Sequence, residues 1–181
     1  MVNKLLYFFI AFIFFSCINP VPRNPIVRKS SSFMEESVMF NKKLNGEEEL
    51  LFKNYMKLDS NEHYLNSSKG FWYSFNAKSN QNYVPQKGDE CIFTYEVLNI
   101  ENEIIYSRDE IGEKSYFIDQ QEIKDGLRNA LKIMGEGDMA TFLFPSHLMY
   151  GYTGDTNKIG INQPLIYKVQ LIKINKKNEN K

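Results

Sequence analysis

Near its C-terminus the chain alternates strictly, with Leu165, Tyr167, Val169 and Leu171 on one parity and Ile166, Lys168, Gln170 and Ile172 on the other. A period of two marks a β-strand with one face turned to a core. A second apolar run, MATFLFP (139–145), comes before it, and a long loop rich in glycine and aromatic residues joins the two. In that loop Tyr150 stands beside Gly151 and Gly154, a bulky ring on backbone free to turn sharply. A rigid aromatic on a rim loop between two strands points to a concave apolar site.

The chain has 181 residues, enough for one domain with additions. Lysine plus arginine and aspartate plus glutamate both number 22, so the formal net charge is zero and there is no basic footprint for nucleic acid. Aromatic residues make up 14%, mostly Phe and Tyr, which is ample material for a core.

Lys4 is followed by an unbroken apolar run from Leu5 to Phe15 that ends at Ser16-Cys17. The run is shorter than the roughly 20 residues a membrane span needs. It has the dimensions of a secretory signal. Cysteine directly after it, with small Ser16 before, resembles a bacterial lipoprotein cleavage site, although Phe14 and Phe15 are bulkier than usual there. On this reading 1–16 is a signal peptide and Cys17 is the lipidated first mature residue. Plain secretion and an uncleaved anchor are the alternatives. No acidic run follows Cys17, so the expected location is the cell envelope, anchored by lipid and facing the periplasm. Cys91, the other cysteine, then has no disulfide partner. It opens the alternating run Cys91, Phe93, Tyr95, Val97, as a buried thiol acting as a small hydrophobe would.

Residues 17–33, with Pro20, Pro22, Pro25 and three serines, read as an extended linker. A helical extension is expected over 34–66. Asn45 before Gly46-Glu47-Glu48 resembles a capping box, and Leu50, Leu51, Tyr55 and Leu58 follow at helical spacing. A shorter helix carrying Val38, Met39 and Leu44 is expected before it. These helices can pack on their own domain, on a second copy or on a partner, so a homodimer stays open. Strands are expected at 70–76, 91–99, 103–107, 114–118, 139–145 and 165–175. One helix carries Ile123, Leu127, Leu131 and Met134 on a stripe, closed by Gly135. This is an α+β pattern, a sheet of antiparallel strands with one helix, over 70–176. A disordered tail is expected at 177–181.

The usual catalytic signatures are missing. His63 and His147 are the only histidines, no cysteine pair exists for a metal, and no nucleophile or phosphate-loop motif occurs. The blocks KGDECIFTYEV (87–97), QEIKDGLRNALKIMGEGDMATF (121–142) and YGYTGDTNKIGINQPLIYKVQLIKI (150–174) instead resemble, taken together, the FK506-binding-protein (FKBP) family of peptidyl-prolyl cis-trans isomerases, or rotamases. The lipoprotein start, the helical stretch and the GFWY strand are further similar to one subgroup, the gliding-motility-associated isomerase lipoproteins.

The resemblance implies an FKBP-like half-barrel wrapped around one helix, with an apolar proline pocket between and no cofactor or metal. The pocket wall would be Tyr95, Ile105, Tyr116, Ile123, Leu127, Ile159 and Tyr167. Substrate carbonyls would meet the Lys124 backbone N–H and the Tyr150 hydroxyl. The implied partners are proline-containing segments of exported proteins, with the membrane reached through the lipid. Such a site needs no acid–base pair. The X-Pro bond turns over a barrier of about 18–20 kcal/mol because twisting breaks amide resonance. The twisted amide has less charge separation, so a dry apolar pocket favours it over the planar ground state.

Two positions depart from the family pattern. Leu127 stands where the pocket floor is usually tryptophan, and Tyr106 stands where a rim aspartate is usual. The expected consequences are lower turnover and weaker binding of the family's macrolide inhibitors. A binding module or chaperone on the same fold is the alternative.

Overall fold

The computed structural model describes residues 30–177. The signal segment, the lipidation of Cys17, the linker as far as residue 29 and the tail from residue 178 lie outside these. By backbone proximity the chain divides into 1–38 and 39–181. Of the first unit the described part is the helical opening of α1, so positions 30–33 of the expected linker are helical.

Helix α1 runs without a break through Ser30–Leu58. Two helices with a cap at Asn45 were expected, and the structure has one. Gly46 keeps a non-positive φ and its Cβ position faces open space, so it stays helical at a cost of about 1 kcal/mol. The buried line on the part of α1 in the second unit shares only Tyr55 with the expected one. Glu48, Phe52 and Tyr55 are 3%, 0% and 8% exposed, while Leu50, Leu51 and Leu58 remain exposed. Positions i, i+4 and i+7 share a helix face, and that face is the one turned to the sheet.

The strands are β1 (Leu65–Asn66), β2 (Trp72–Ala77), β3 (Glu90–Leu98), β4 (Ile104–Tyr106), β5 (Lys114–Phe117), β6 (Met139–Phe144) and β7 (Leu165–Asn175). All pair antiparallel in one sheet of order β1-β2-β6-β7-β3-β4, with β5 also on β3. Two helices interrupt them: a single turn, α2 (Arg108–Ile111), and α3 (Asp125–Leu131). The sequence pattern had shown neither β1 nor α2. A two-residue strand and a one-turn helix are too short to carry a period.

On the inner face β7 buries Leu165, Tyr167, Val169 and Leu171, as its parity predicts. The alternation then breaks. Ile92 pairs with Lys173 but Phe93 pairs with Leu171, so Ile172 is an extra residue. Such a bulge flips the parity, and Ile174 turns inward, 8% exposed. Helix α3 fills the curl with Leu127, Ala130 and Leu131 against Phe93, Phe142, Phe144 and Tyr167. It is shorter than the expected 123–134. Lys132 forms its C-cap, and Gly135 does not take a left-handed conformation. Gly135 donates its N–H to buried Asp138 at 2.7 Å, and Gly137 supplies the positive φ.

The outer face carries a second core of Phe52, Tyr55, Leu98, Leu143 and Ile166, with Phe52 5.5 Å from the Trp72 ring. Ile166 is on the parity expected to face away from the core, yet α1 covers it completely. Each large side chain buried this way contributes about 1.5–3 kcal/mol. Among the described residues no helix is long and apolar enough to cross a membrane.

Candidate active site

Strand β6 stops at Pro145, which has no N–H to continue the ladder. A 3₁₀ turn (Ser146–Leu148) leads to Tyr150, and a second (Gly151–Thr153) leads away. Gly154 has φ 66°, and a Cβ there would lie 2.5 Å from the Ile159 carbonyl, so only glycine fits. Asp155 ties the loop off. Its Oδ1 accepts the N–H groups of Asn157 and Ile159 at 2.8 Å each. Asn162 donates its N–H to the Gly151 carbonyl at 2.7 Å. Tyr150 therefore rides on a loop stitched at both ends.

This loop closes over a cavity of about 320 Å³. Its walls are Tyr95 and Val97 of β3, Tyr106 of β4, Glu110 and Ile111 of α2, Lys114 of β5, Tyr167 of β7, and Tyr150 with Asp155 from the loop. Tyr95 and Tyr167 stack at 5.2 Å with their planes 14° apart, and Phe144 meets Tyr167 edge-on at 5.4 Å. The rings are thus fixed by packing. Burial pushes the Tyr95 hydroxyl up to about 12, with Tyr150 adding to the shift. Burial likewise raises Tyr150 and Tyr167. All three phenols stay protonated at neutral pH and are able to donate hydrogen bonds.

The sequence-predicted residues divide into two groups. Tyr95, Tyr106, Tyr150 and Tyr167 line the cavity. Tyr116, Leu127 and Ile159, at 2%, 3% and 3% exposed, pack in the same inner cluster as Tyr167, with Ile105 and Ile123 half-buried against it. Lys124 is the N-cap of α3, and its ammonium lies 4.3 Å from the centre of the Tyr150 ring.

Asp155 is the residue that sequence reasoning missed. The Tyr106 hydroxyl donates to its Oδ2, and Asn157 Nδ2 donates to Tyr106 at 3.0 Å. Where the family pattern has a rim aspartate, Tyr106 reaches across and holds a carboxylate from the opposite loop. Burial works against the charged form of Asp155, but Tyr106 and the loop N–H groups outweigh it and hold the carboxyl below its usual value. A hint existed in the sequence, since aspartate after glycine that accepts the N–H two residues on is a common turn device. Asp109, nearer in sequence, is exposed and takes no part in the cavity. Lys114 and Glu110 were also not foreseen as lining, because a short strand and a one-turn helix place them there. A larger cleft of about 640 Å³ lies on the other side, where α1 ends; its lining mixes Leu51, Tyr55, Leu58 and Ile100 with Asp59, Glu62, Glu101 and Lys168 and includes none of Tyr95, Tyr150 or Tyr167. Among the described residues no carboxylate, histidine and cysteine group could hold a metal ion.

The fold is that of the FKBP domains. It matches the N-terminal domain of FKBP42 from Arabidopsis thaliana with a TM-score of 0.57 at 15% identity, covering 63% of this chain and 93% of that one. In sequence, residues 81–172 match the family model of FKBP-type peptidyl-prolyl cis-trans isomerases. The chain belongs to this family. It is 32% identical over 108 residues to a probable FKBP-type peptidyl-prolyl cis-trans isomerase, FkpA, of Neisseria meningitidis serogroup B, covering 60% of this chain and 39% of that protein. It is 33% identical over 100 residues to the peptidyl-prolyl cis-trans isomerase Mip of Coxiella burnetii, covering 55% and 43%. The chain thus spans about two fifths of the length of these relatives.

Proposed function

We propose that the chain catalyses cis–trans isomerisation of X-Pro bonds in the cavity under Tyr150. The observation that carries this is the convergence of three neutral, packed tyrosines, Tyr95, Tyr150 and Tyr167, on one small cavity. The aromatic faces receive the pyrrolidine ring and exclude water. The Tyr150 hydroxyl donates to a substrate carbonyl and holds the chain while the amide twists. The stacked aromatic part of the wall, Tyr95 and Tyr167, favours the twisted amide, whose charge separation is smaller. No proton is transferred and no cofactor is required. Asp155, held by Tyr106, keeps the rim in place.

In this reading the protein is a lipoprotein attached to the envelope membrane through Cys17, working on the periplasmic side on exported proteins whose prolines limit folding. Its similarity to the gliding-motility isomerase lipoproteins suggests the proteins of gliding motility as clients. The segment 1–17 supports the anchor, and FkpA and Mip support the reaction. A second reading, a binding module with weak turnover, is favoured by Leu127, whose burial in the core leaves no flat indole under the proline.

A coupled assay on a proline peptide decides between them. The chain is expected to accelerate isomerisation, and Leu127→Trp to accelerate it further. A folded protein with no acceleration at micromolar concentration would leave only the binding module. The anchor is tested separately, by whether Cys17→Ser releases the protein from membranes.

A further inference from the structure

Pro145 lacks an N–H, so the first backbone donor after β6 belongs to Ser146, which is 1% exposed. A buried N–H needs an acceptor. Here the acceptor is Glu48 Oε2 of α1 at 3.0 Å, 98 positions earlier in the chain. Glu48 is itself 3% exposed, and its Oε1 has no hydrogen-bond partner among the described residues. Carboxylates are rarely buried without full pairing, because desolvation costs more than one hydrogen bond returns. A half-satisfied buried glutamate is therefore an expensive way to pack a helix on a sheet.

What it holds is the turn that carries Tyr150. Leu148 donates to the Pro145 carbonyl at 3.1 Å and Met149 to the Ser146 carbonyl at 3.0 Å, and Tyr150 follows at once. We propose that Glu48 is a positioning residue for the isomerase reaction: through Ser146, helix α1 fixes where the Tyr150 phenol stands. The helical extension then belongs to the working site and is more than a spacer. The proposal rests on the isomerase reading of the cavity.

The test is a double-mutant cycle on the full chain, read as kcat/KM on a proline peptide, beside amide hydrogen exchange at residues 146–150. Glu48→Ala is expected to lower kcat/KM roughly 10-fold, less than the roughly 100-fold that a 1 Å displacement of a reacting group can cost. Glu48→Gln, which keeps an acceptor oxygen, is expected to restore it to within about 2-fold. Added to Tyr150→Phe, Glu48→Ala is expected to cost no more than about 2-fold further, since both act through one hydroxyl. The Ser146 amide loses protection in Glu48→Ala and keeps it in Glu48→Gln. If Glu48→Ala does not fold, Ser146→Pro deletes the same bond from the loop side, where Pro145 already has the extended ψ of 147° that a following proline needs. Fully additive losses, a glutamine variant as poor as alanine, or unchanged exchange in Glu48→Ala would each overturn the proposal. An inactive wild type would remove the isomerase reading instead, and exchange would still decide whether Glu48 holds the turn.

Discussion

The two faces of the sheet are built from similar material but used differently. The inner face buries large aromatics against α3 and leaves a gap lined by Tyr95, Tyr106, Tyr150 and Tyr167. The outer face buries Phe52, Leu143 and Ile166 under α1. Apolar burial alone therefore does not make a site. What separates the inner face is a loop stitched across its open end, over a gap lined by Tyr95, Tyr150 and Tyr167, whose ionisation burial opposes. What the outer face adds to that loop is the contact of Glu48 with Ser146 at its base.

The comparison is broken most severely at Phe144. This residue is fully buried and touches Phe71, Phe142 and Tyr167 at 5.3, 5.6 and 5.4 Å. Phe144→Ala is expected to cost about 5 kcal/mol, the upper end for such a truncation, and to release Tyr167. Urea unfolding and the peptide assay should both report the loss. Phe52→Ala on the outer face is expected to cost about 3 kcal/mol, because its cluster is smaller. Assayed below its unfolding transition, it should keep far more of its kcat/KM than Phe144→Ala. Equal losses of activity would erase the distinction between the faces.

Alkaline pH weakens both faces more gently, since burial also raises Tyr55 and Tyr64 of the outer cluster. Burial pushes Cys91 from its ordinary 9.0 and Tyr95 from 10.0 up to about 12 each. Both are neutral when protonated and both folded values are raised. Their contribution is therefore complete below about pH 9 and drains away as pH climbs toward 12. Unfolding midpoints measured across that window should fall, and Cys91→Ala should remove the earlier part of the fall. The smallest effect belongs to the rim. Lys158 pairs with Glu110 at 2.6 Å, with both side chains over two fifths exposed. Lys158→Ala is expected to change stability by less than about 1 kcal/mol, and less still in high salt.

Much of the inner face was legible in the chain. The parity of 165–171 and the run Cys91–Val97 fix which side chains face inward, because strand periodicity is a property of neighbouring residues. The family blocks then carried Tyr95, Tyr150 and Tyr167 to one place, and the cavity holds all three. Leu127, Tyr116 and Ile159 came with them as wall residues; they are buried in the same inner cluster from a helix, a strand and the rim loop, a convergence that no local pattern encodes. The outer face was read poorly. Leu50, Leu51, Tyr55 and Leu58 looked like the packing stripe of α1, yet of these only Tyr55 is buried, and Glu48 and Phe52 join it. Two overlapping apolar stripes on one helix cannot be ranked without knowing which surface the helix meets.

Short-range order in this protein was thus written in its residue spacing: strand identity, inward parity as far as the bulge at Ile172, and the glycines that let the rim loop turn. Long-range choices were not. Ile166 is buried because a helix more than a hundred residues earlier lies over it. Tyr106 finds its carboxylate 49 positions away in Asp155, and Ser146 finds its acceptor 98 positions away in Glu48. Such pairings depend on which elements the whole fold brings together, and a sequence window cannot see across that distance.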